Sequence, residues 1–574
     1  MSRFAKFAAL ATFFVVLSAG GVFGQDPPAA SEAAPDPATV PAMQSDIKKV
    51  AEMANIAWML TSAALVLLMM PGLALFYGGM VRRKNLLGTM MHTFVALGIV
   101  GVQWVLIGYS LSFGDSIKFG ENGYIGWKSD YVMLSPTLAG EKAGEIPVYL
   151  HAIFQGMFAI ITAALISGAI AERVKFSTYC IFILLWTTIV YDPLAHWVWS
   201  ADGWLMKLGA LDFAGGTVVH IAAGFGGLAA TLVLKRRAGY PKAAFHPNGM
   251  ALTLLGAGML WFGWFGFNGG SAAASSKQAV NAFTVTQVAA AAAALVWILA
   301  EWLLKGKPTG LGFASGIVAG LVAITPAAGF VDPKGALIIG AAAGLVCYGA
   351  VLLKGVLGYD DSLDAFGVHG VGGFLGAILT GALVSVVALK GVGVSAGITN
   401  DAGEFDMMAQ LKVQIIAAAA SAAYAFIVTG VLVVVLNLTM GFSLKAEDEA
   451  AGLDLSQHGE VGLDYGGASM EEMPHIGEPR KALAPPNGAG SPKRFTVVVD
   501  GPEPKTLVKV WSDMCKAGTA PPSAEFKAVY PFVTTVTGNK FRFRGGDPTT
   551  LRVALEKLFA NNLNGTPVRT YVET

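Results

Sequence analysis

The sequence predicts an all-α polytopic membrane protein. Eleven transmembrane helices form a 5+5 inverted repeat plus one, followed by a small α+β (ferredoxin-like) cytoplasmic domain. Three observations carry that prediction. First, only 13% of the 574 residues are charged, 54% are hydrophobic, and the mean hydropathy is +0.58. Soluble domains average about 25% charge, so this chain cannot cover a globular surface with ions. Second, apolar stretches recur along residues 54–440, each near the ~20 residues a helix needs to cross hydrocarbon. Third, residues 494–574 change to strand patterns and amphipathic helices. The composition, at net charge +1, excludes a soluble enzyme, a disordered chain and a basic nucleic-acid binder. The 71 glycines fit close-packed membrane helices. Cys180, Cys347 and Cys515 are too few and scattered for a disulfide scaffold or metal cluster.

In chain order, residues 1–24 read as a secretory signal peptide. Arg3 and Lys6 precede an apolar run, and Val22 and Gly24 are small residues before Gln25. The other reading is a first membrane anchor, but the apolar run is short for one. Residues 25–45 are a Pro/Ala-rich flexible lead, and 46–445 are the membrane domain. Spans are expected near 54–78, 88–113, 150–171, 177–196, 213–235, 248–269, 279–304, 311–329, 335–357, 367–389 and 410–440. Arg82-Arg83-Lys84, Arg173, Lys175, Lys235-Arg236-Arg237, Lys242, Lys305 and Lys307 fall in loops of one side. The other side holds isolated Lys207, Lys277 and Lys334. The excess of Lys and Arg marks the first side as cytoplasmic. An outside N-terminus and an odd span count then leave the C-terminus cytoplasmic. The expected setting is the inner (plasma) membrane.

An odd-numbered half places the second half upside down in the bilayer. Span five contains Asp212-Phe213-Ala214-Gly215-Gly216-Thr217-Val218-Val219-His220. Span ten is preceded by Asp364 and contains Phe366-Gly367-Val368-His369-Gly370. In an inverted repeat the two histidines would meet near the midplane. An ionisable residue inside a span is a functional candidate by default. Neutral imidazole donates and accepts a hydrogen bond, so two stacked rings can share one and pass a proton. Two other readings stay open: core histidines each bonded to a carbonyl, and a metal site. The latter wants three or four close ligands, and no further His or Cys accompanies either residue. Asp212 and Asp364 stand where a carboxylate caps the N–H groups of a starting helix. Asp212 would also add negative potential at the outer mouth. Tyr191, Trp197, Trp199 and Trp204 crowd the outer end of span four, as an interfacial aromatic belt does. Span six ends Trp261-Phe262-Gly263-Trp264-Phe265-Gly266-Phe267-Asn268-Gly269-Gly270-Ser271, and span three holds Phe154-Gln155-Gly156-Met157-Phe158. Aromatic faces attract a small cation by roughly 0.5–2 kcal/mol each. For any one of them, lipid or core packing is the alternative.

These stretches resemble the ammonium transporter (Amt/Mep/Rh) family, of the bacterial Amt type. The similarity lies in Pro71-Gly72-Leu73-Ala74-Leu75-Phe76-Tyr77-Gly78-Gly79-Met80-Val81-Arg82, in Asp212 through His220, in Gly263 through Asn268, and in Phe366 through Gly370. It continues in Gly452-Leu453-Asp454 followed by His458-Gly459-Glu460. Several long motifs in one order cover residues ~50–465, most of the chain. The resemblance implies that Trp199 and Ser271, with Phe158, bind ammonium at an outer site. It implies that Phe158 and Phe267 form a stacked gate, and that His220 and His369 are the twin-histidine pore pair. Asp212 matches the acidic residue near the outer site, and Asp364 its partner in the second half. A homotrimer with one pore per subunit is implied. So is coupling through the cytoplasmic tail, and PII-type regulators block the pores of many relatives.

Residues 446–493 are read as tail and linker, with Gly, Pro, Ala and charge dominating 466–493. Within 494–574, strands are expected at 495–500, 526–537, 541–544 and 568–572. Helices are expected at 504–516 and after Asp547-Pro548, giving the order βαββαβ. Lys540, Arg542 and Arg544 form an exposed charged strand that offers an anion site as its sharper reading. The domain is expected to regulate the pores. No cofactor, metal or nucleic acid is implied. Three functions compete: an ammonium transporter, an ammonium sensor reporting through the C-terminal domain, and an enzyme, for which no nucleophile or phosphate loop is present.

Overall fold

The computed structural model describes residues 40–242, 245–392, 397–400 and 402–463. In the C-terminal part it describes 494–500, 506–507, 509–510, 512, 533–537, 540–544, 548–562 and 569–573. The expected signal peptide 1–24 lies outside these residues. The chain divides into two units, Met1–Ser469 and Met470–Thr574.

The first unit is a helix bundle. Among the described residues, ten helices are long and apolar enough to cross a membrane. We label the bundle helices α1 (Val40–Met80), α2 (Arg83–Phe113), α3 (Val148–Ile166), α4 (Phe176–Trp199), α5 (Gly216–Val233) and α6 (Met250–Gly270). The remainder are α7 (Lys277–Lys305), α8 (Gly310–Ile324), α9 (Pro333–Leu357), α10 (Phe366–Leu383) and α11 (Met407–Thr439). The eleventh expected span is α8, which has only 15 residues. At 1.5 Å per residue it rises about 22 Å, short of the ~30 Å hydrocarbon core. The lead is also shorter than expected: α1 starts at Val40, inside the 25–45 stretch. Local sequence explains several boundaries. Ser276, Thr309, Asp332 and Asp406 each accept a backbone N–H from three residues on, starting α7, α8, α9 and α11. Gly306 and Gly358 end α7 and α9 at φ 83° and 72°, a conformation that costs glycine little.

Lipid offers apolar helices no hydrophobic reason to associate, so close backbone approach must hold the bundle. A methyl group on Gly224 of α5 would collide with the backbone nitrogen of Gly370 in α10. These two helices carry the histidines, and the missing side chain lets them touch.

At one end of the bundle, five charged residues from four loops are gathered together. Glu172 accepts from the Arg82 backbone N–H at 2.7 Å and from Asn85 Nδ2 at 2.8 Å. Arg237 bridges Glu172 at 3.2 Å and Asp360 at 2.7 Å, and Arg173 reaches Asp360 at 2.9 Å. The Glu172 and Asp360 side chains are 1% and 0% exposed. Burial alone would raise their pKa, but the arginine hydrogen bonds and charges hold both below the usual carboxylate range. The tail docks here. Asp454 Oδ1 accepts from Gly88 N at 2.9 Å, Asn85 Oδ1 from Leu453 N at 2.9 Å, and Lys84 donates to the Glu449 and Ala450 carbonyls. At the other end, the long loop after α2 folds into an antiparallel hairpin, β1 (Asp115–Phe119) with β2 (Asn122–Trp127).

The second unit holds β3 (Arg494–Asp500), β4 (Val533–Thr537), β5 (Lys540–Arg544), α12 (Pro548–Asn562) and β6 (Arg569–Glu573). Residues 506–507, 509–510 and 512, inside the expected first helix, are helical. The sheet order is β4-β5-β3-β6, with each pair antiparallel. Val497, Val499 and Phe541 pack against Leu551, Leu555, Leu558 and Phe559 in a core of their own.

Candidate functional site

Each histidine sits at the start of a helix that opens with one wide turn: Gly216–Ile221 in α5 and Phe366–Gly370 in α10. Such turns are frequent at functional positions, although Trp104–Gly108 and Thr187–Tyr191 form them too. The α5 start is held by Asp212. Its carboxylate accepts the backbone N–H of Gly215 at 2.8 Å, of Gly216 at 2.6 Å and of Thr217 at 2.8 Å, and the Thr217 hydroxyl as well. Gly215, at φ 112°, supplies the backward bend that lets one side chain reach them all.

The second half corrects the expectation for Asp364. The helix start there is held by Asp361, which accepts from Ala365 N at 3.1 Å and Phe366 N at 2.9 Å. Spacing does not exclude Asp364, since caps elsewhere in the chain accept from three residues on; its backbone and its ion pair do. Asp364 adopts φ 61° and pairs instead with Lys354. Asp361 was visible in the sequence as one of three aspartates before Phe366, but spacing alone did not separate it from Asp364.

Burial pushes the Asp361 carboxyl up to about 6, with Lys354 opposing and Asp364 adding. An acid whose folded pKa is raised stabilises the fold below its unfolded pKa, about 4, and loses that contribution as pH rises through the folded value. Asp361→Asn removes the titration. We expect the unfolding midpoint of the parent to fall relative to this variant between about pH 4 and 6. Parallel thermal-unfolding curves across that window would refute the assignment.

The histidines meet. His220 Nδ1 and His369 Nδ1 are 3.3 Å apart, with ring centroids 5.3 Å apart and planes inclined by 26°. The bond takes opposite tautomers: one ring carries Nδ1–H and donates, and the other presents a bare Nδ1 that accepts. The residues are 1% and 4% exposed. His220 also stacks on Trp264, at 5.4 Å and 21°. The Trp264 indole is anchored by a 2.9 Å bond to Thr325 Oγ1. In the sequence Trp264 is one aromatic of the Gly263–Asn268 stretch, and nothing there marks it as the partner of His220.

An aromatic column continues from the histidines. Phe267 lies 6.2 Å from His220, and Phe158 stacks on Phe267 at 4.1 Å and 25°. Trp199 meets Phe158 edge-on at 6.0 Å. The Trp199 N–H donates to the Asp212 carbonyl at 3.0 Å, so the residue that holds the His220 helix also orients this indole. Ser271 donates to the Phe267 carbonyl at 2.8 Å, which leaves its oxygen lone pairs available. A narrow cavity beside the pair is lined by Met69, Leu73, Phe76, Ile161, Leu165, Val219, Leu260 and Val318, with His220, Trp264, Phe267 and His369. Its lining is apolar except at the two imidazoles and the indole. Trp199, Phe158, Phe267, His220 and His369 are thus joined by successive ring contacts, Ser271 is tied to the Phe267 carbonyl, Asp212 reaches them through Trp199, and Asp364 pairs elsewhere.

The sequence model of the Ammonium Transporter Family matches residues 57–463. The chain is 46% identical over 454 residues to the ammonium transporter of Mycobacterium tuberculosis, covering 75% of this chain and 94% of that one. It is 47% identical over 407 residues to ammonium transporter Amt1 of Archaeoglobus fulgidus, covering 71% and 98%. The crystal structure of Saccharomyces cerevisiae Mep2 superposes with a TM-score of 0.64 at 36% identity, covering 74% of this chain and 93% of that one. A solved structure titled Sensor Amt Protein gives 0.64 at 27% identity, covering 71% and 99%. On its sequence, this chain belongs to the ammonium transporter family.

Proposed function

We propose that the protein binds ammonium at its outer end, removes a proton, and conducts ammonia past the stacked phenylalanines while His220 and His369 relay the proton. The observation that carries the reading is the buried, hydrogen-bonded imidazole pair in line with the Phe158–Phe267 stack. Transferring an ammonium ion into hydrocarbon costs several kcal/mol even after relaxation. Among the described residues, no ring of carbonyls lines the cavity beside the histidines to offset that, unlike a potassium filter. Ammonium escapes the penalty by losing its proton, and potassium cannot. Trp199, Phe158 and Ser271 would hold the ion by cation–π attraction and one hydrogen bond. Asp212 positions Trp199 and adds negative potential near that site.

The same reading makes α8 the eleventh span, sets the two five-helix halves inverted, and places the charged cluster with Arg82, Arg173 and Arg237 on the cytoplasmic side of an inner membrane. It takes residues 1–24 as a signal peptide and the assembly as a homotrimer. The sheet order of the second unit matches a ferredoxin-like domain, for which a regulatory role, with or without a PII-type partner, is the proposal.

The test is electrical. Reconstituted protein on a solid support should give a transient current on an ammonium jump and none on a potassium jump. Alkalinisation inside the vesicles without current would replace proton relay by passage of ammonia alone. A second reading, an ammonium sensor, is favoured by the likeness to the structure titled Sensor Amt Protein and by the separate C-terminal unit. Neither current nor a pH response, with ammonium still bound, would select it.

A further inference from the structure

The hairpin β1–β2 grips the last turn of α4. His196 stands on that turn, fully buried, three residues before Trp199. Its ring is bonded on both sides. The Ser112 carbonyl, at the end of α2, can only accept, so His196 Nδ1 carries a proton and donates to it at 3.0 Å. In the neutral ring Nε2 is then bare, and the Ser116 hydroxyl of β1 donates to it at 2.7 Å. The neighbouring Trp197 indole N–H donates to the Tyr124 carbonyl of β2 at 2.7 Å. A third tie is backbone on backbone. Gly123 of β2 pairs with Gly203, and a methyl group on Gly203 would collide with the carbonyls of His196 and Trp197. Lys118 and Lys207 also close on Asp202, at 3.6 and 2.9 Å, but these groups are exposed and contribute little.

The ties converge on the segment that carries Trp199. Helix α4 ends at Ser200 in extended backbone, at φ −77° and ψ 140°, so no further turn holds Trp199. A helix end left to itself frays. The Asp212 carbonyl orients the tip of the Trp199 indole, and the hairpin fixes the backbone behind it. We propose that His196 is a positioning residue: clamped by Ser112 and Ser116, it sets the last turn of α4 so that Trp199 meets Phe158 in the geometry that holds ammonium. The inference rests on the outer site proposed above and gives the loop after α2 a role in it. Binding groups work only when their supports lock them in place. A displaced indole loses cation–π attraction, which weakens binding without slowing passage along the histidines.

The full chain is reconstituted as parent, Ser116→Ala, His196→Asn and His196→Phe. Asparagine keeps a donor for Ser112 at the place of Nδ1 and gives up Ser116; phenylalanine gives up both. Two quantities are read: hydroxyl-radical oxidation of Trp199 by mass spectrometry, with exposed Trp302 as control, and the ammonium concentration that gives half the maximal transient current. Ser116→Ala and His196→Asn should raise both several-fold and to the same extent, with Trp302 oxidation and the plateau current unchanged. His196→Phe should raise both further. Unchanged Trp199 oxidation in all three variants overturns the clamp. A fall in plateau current at unchanged half-saturation overturns the positioning role. A parent that gives no current counts against the transport reading alone, and the Trp199 oxidation ratios still decide the clamp.

Discussion

Replacing both His220 and His369 by alanine should lower the preference for ammonium over potassium by at least about tenfold, or about 1.4 kcal/mol. The expected change follows from volume and polarity together. The cavity beside the pair is bounded by apolar side chains, and the imidazoles are its main polar groups. Two methyl groups in place of two rings open room for water. A hydrated cation then no longer pays the cost of stripping its shell, and potassium gains entry. Leucine at both positions keeps the volume and removes the hydrogen bond. His220→Leu/His369→Leu should therefore give neither an ammonium nor a potassium current. The measurement is the transient current on ammonium and potassium jumps, with vesicle protein content matched. A double alanine variant with unchanged selectivity would remove the pair from the conduction path.

Loss of Glu172 should cost the fold about 3–5 kcal/mol, the range for breaking a buried ion pair by removing one partner. Glu172→Ala leaves Arg237 and Asn85, both buried, and the partly exposed Arg82 without their shared acceptor. Asp360→Ala should act similarly on Arg173 and Arg237. The apparent unfolding midpoint should drop by several degrees in either variant. Because both carboxyls titrate below their usual range, their contribution is present above the unfolded pKa and fades only as pH falls through the folded value. The difference between parent and variant should accordingly shrink in acid. A midpoint unchanged at neutral pH would show that the cluster is solvated and energetically minor.

These residues show how far the sequence could be read. By sequence, Arg82, Arg173 and Arg237 read as loop charges that orient the chain in its membrane. In the structure they are spent on Glu172 and Asp360. The rule that uses them counts residues near span ends and is blind to pairing. The aspartates before α10 make the same point. A carboxylate and a nearby helix start are visible in sequence, but which carboxylate reaches back over the first turn depends on backbone angles at Asp364.

The sequence by itself determined the class of the protein, because charge content and apolar run length are properties of composition and local order. It also determined the family, because long motifs survive as linear strings. Where α8 stops was not legible: it is short, and a hydropathy run does not mark where its helix ends. The resemblance named the residues of the site, and tertiary structure decided their contacts. His220 and His369 are 149 residues apart in the chain. They touch because α5 and α10 pack backbone to backbone at Gly224 and Gly370, and because Asp212 and Asp361 each hold a helix start in place. The stack of Trp199, Phe158 and Phe267 over that pair joins three helices. Contacts of that kind depend on distances through space, which linear spacing does not encode.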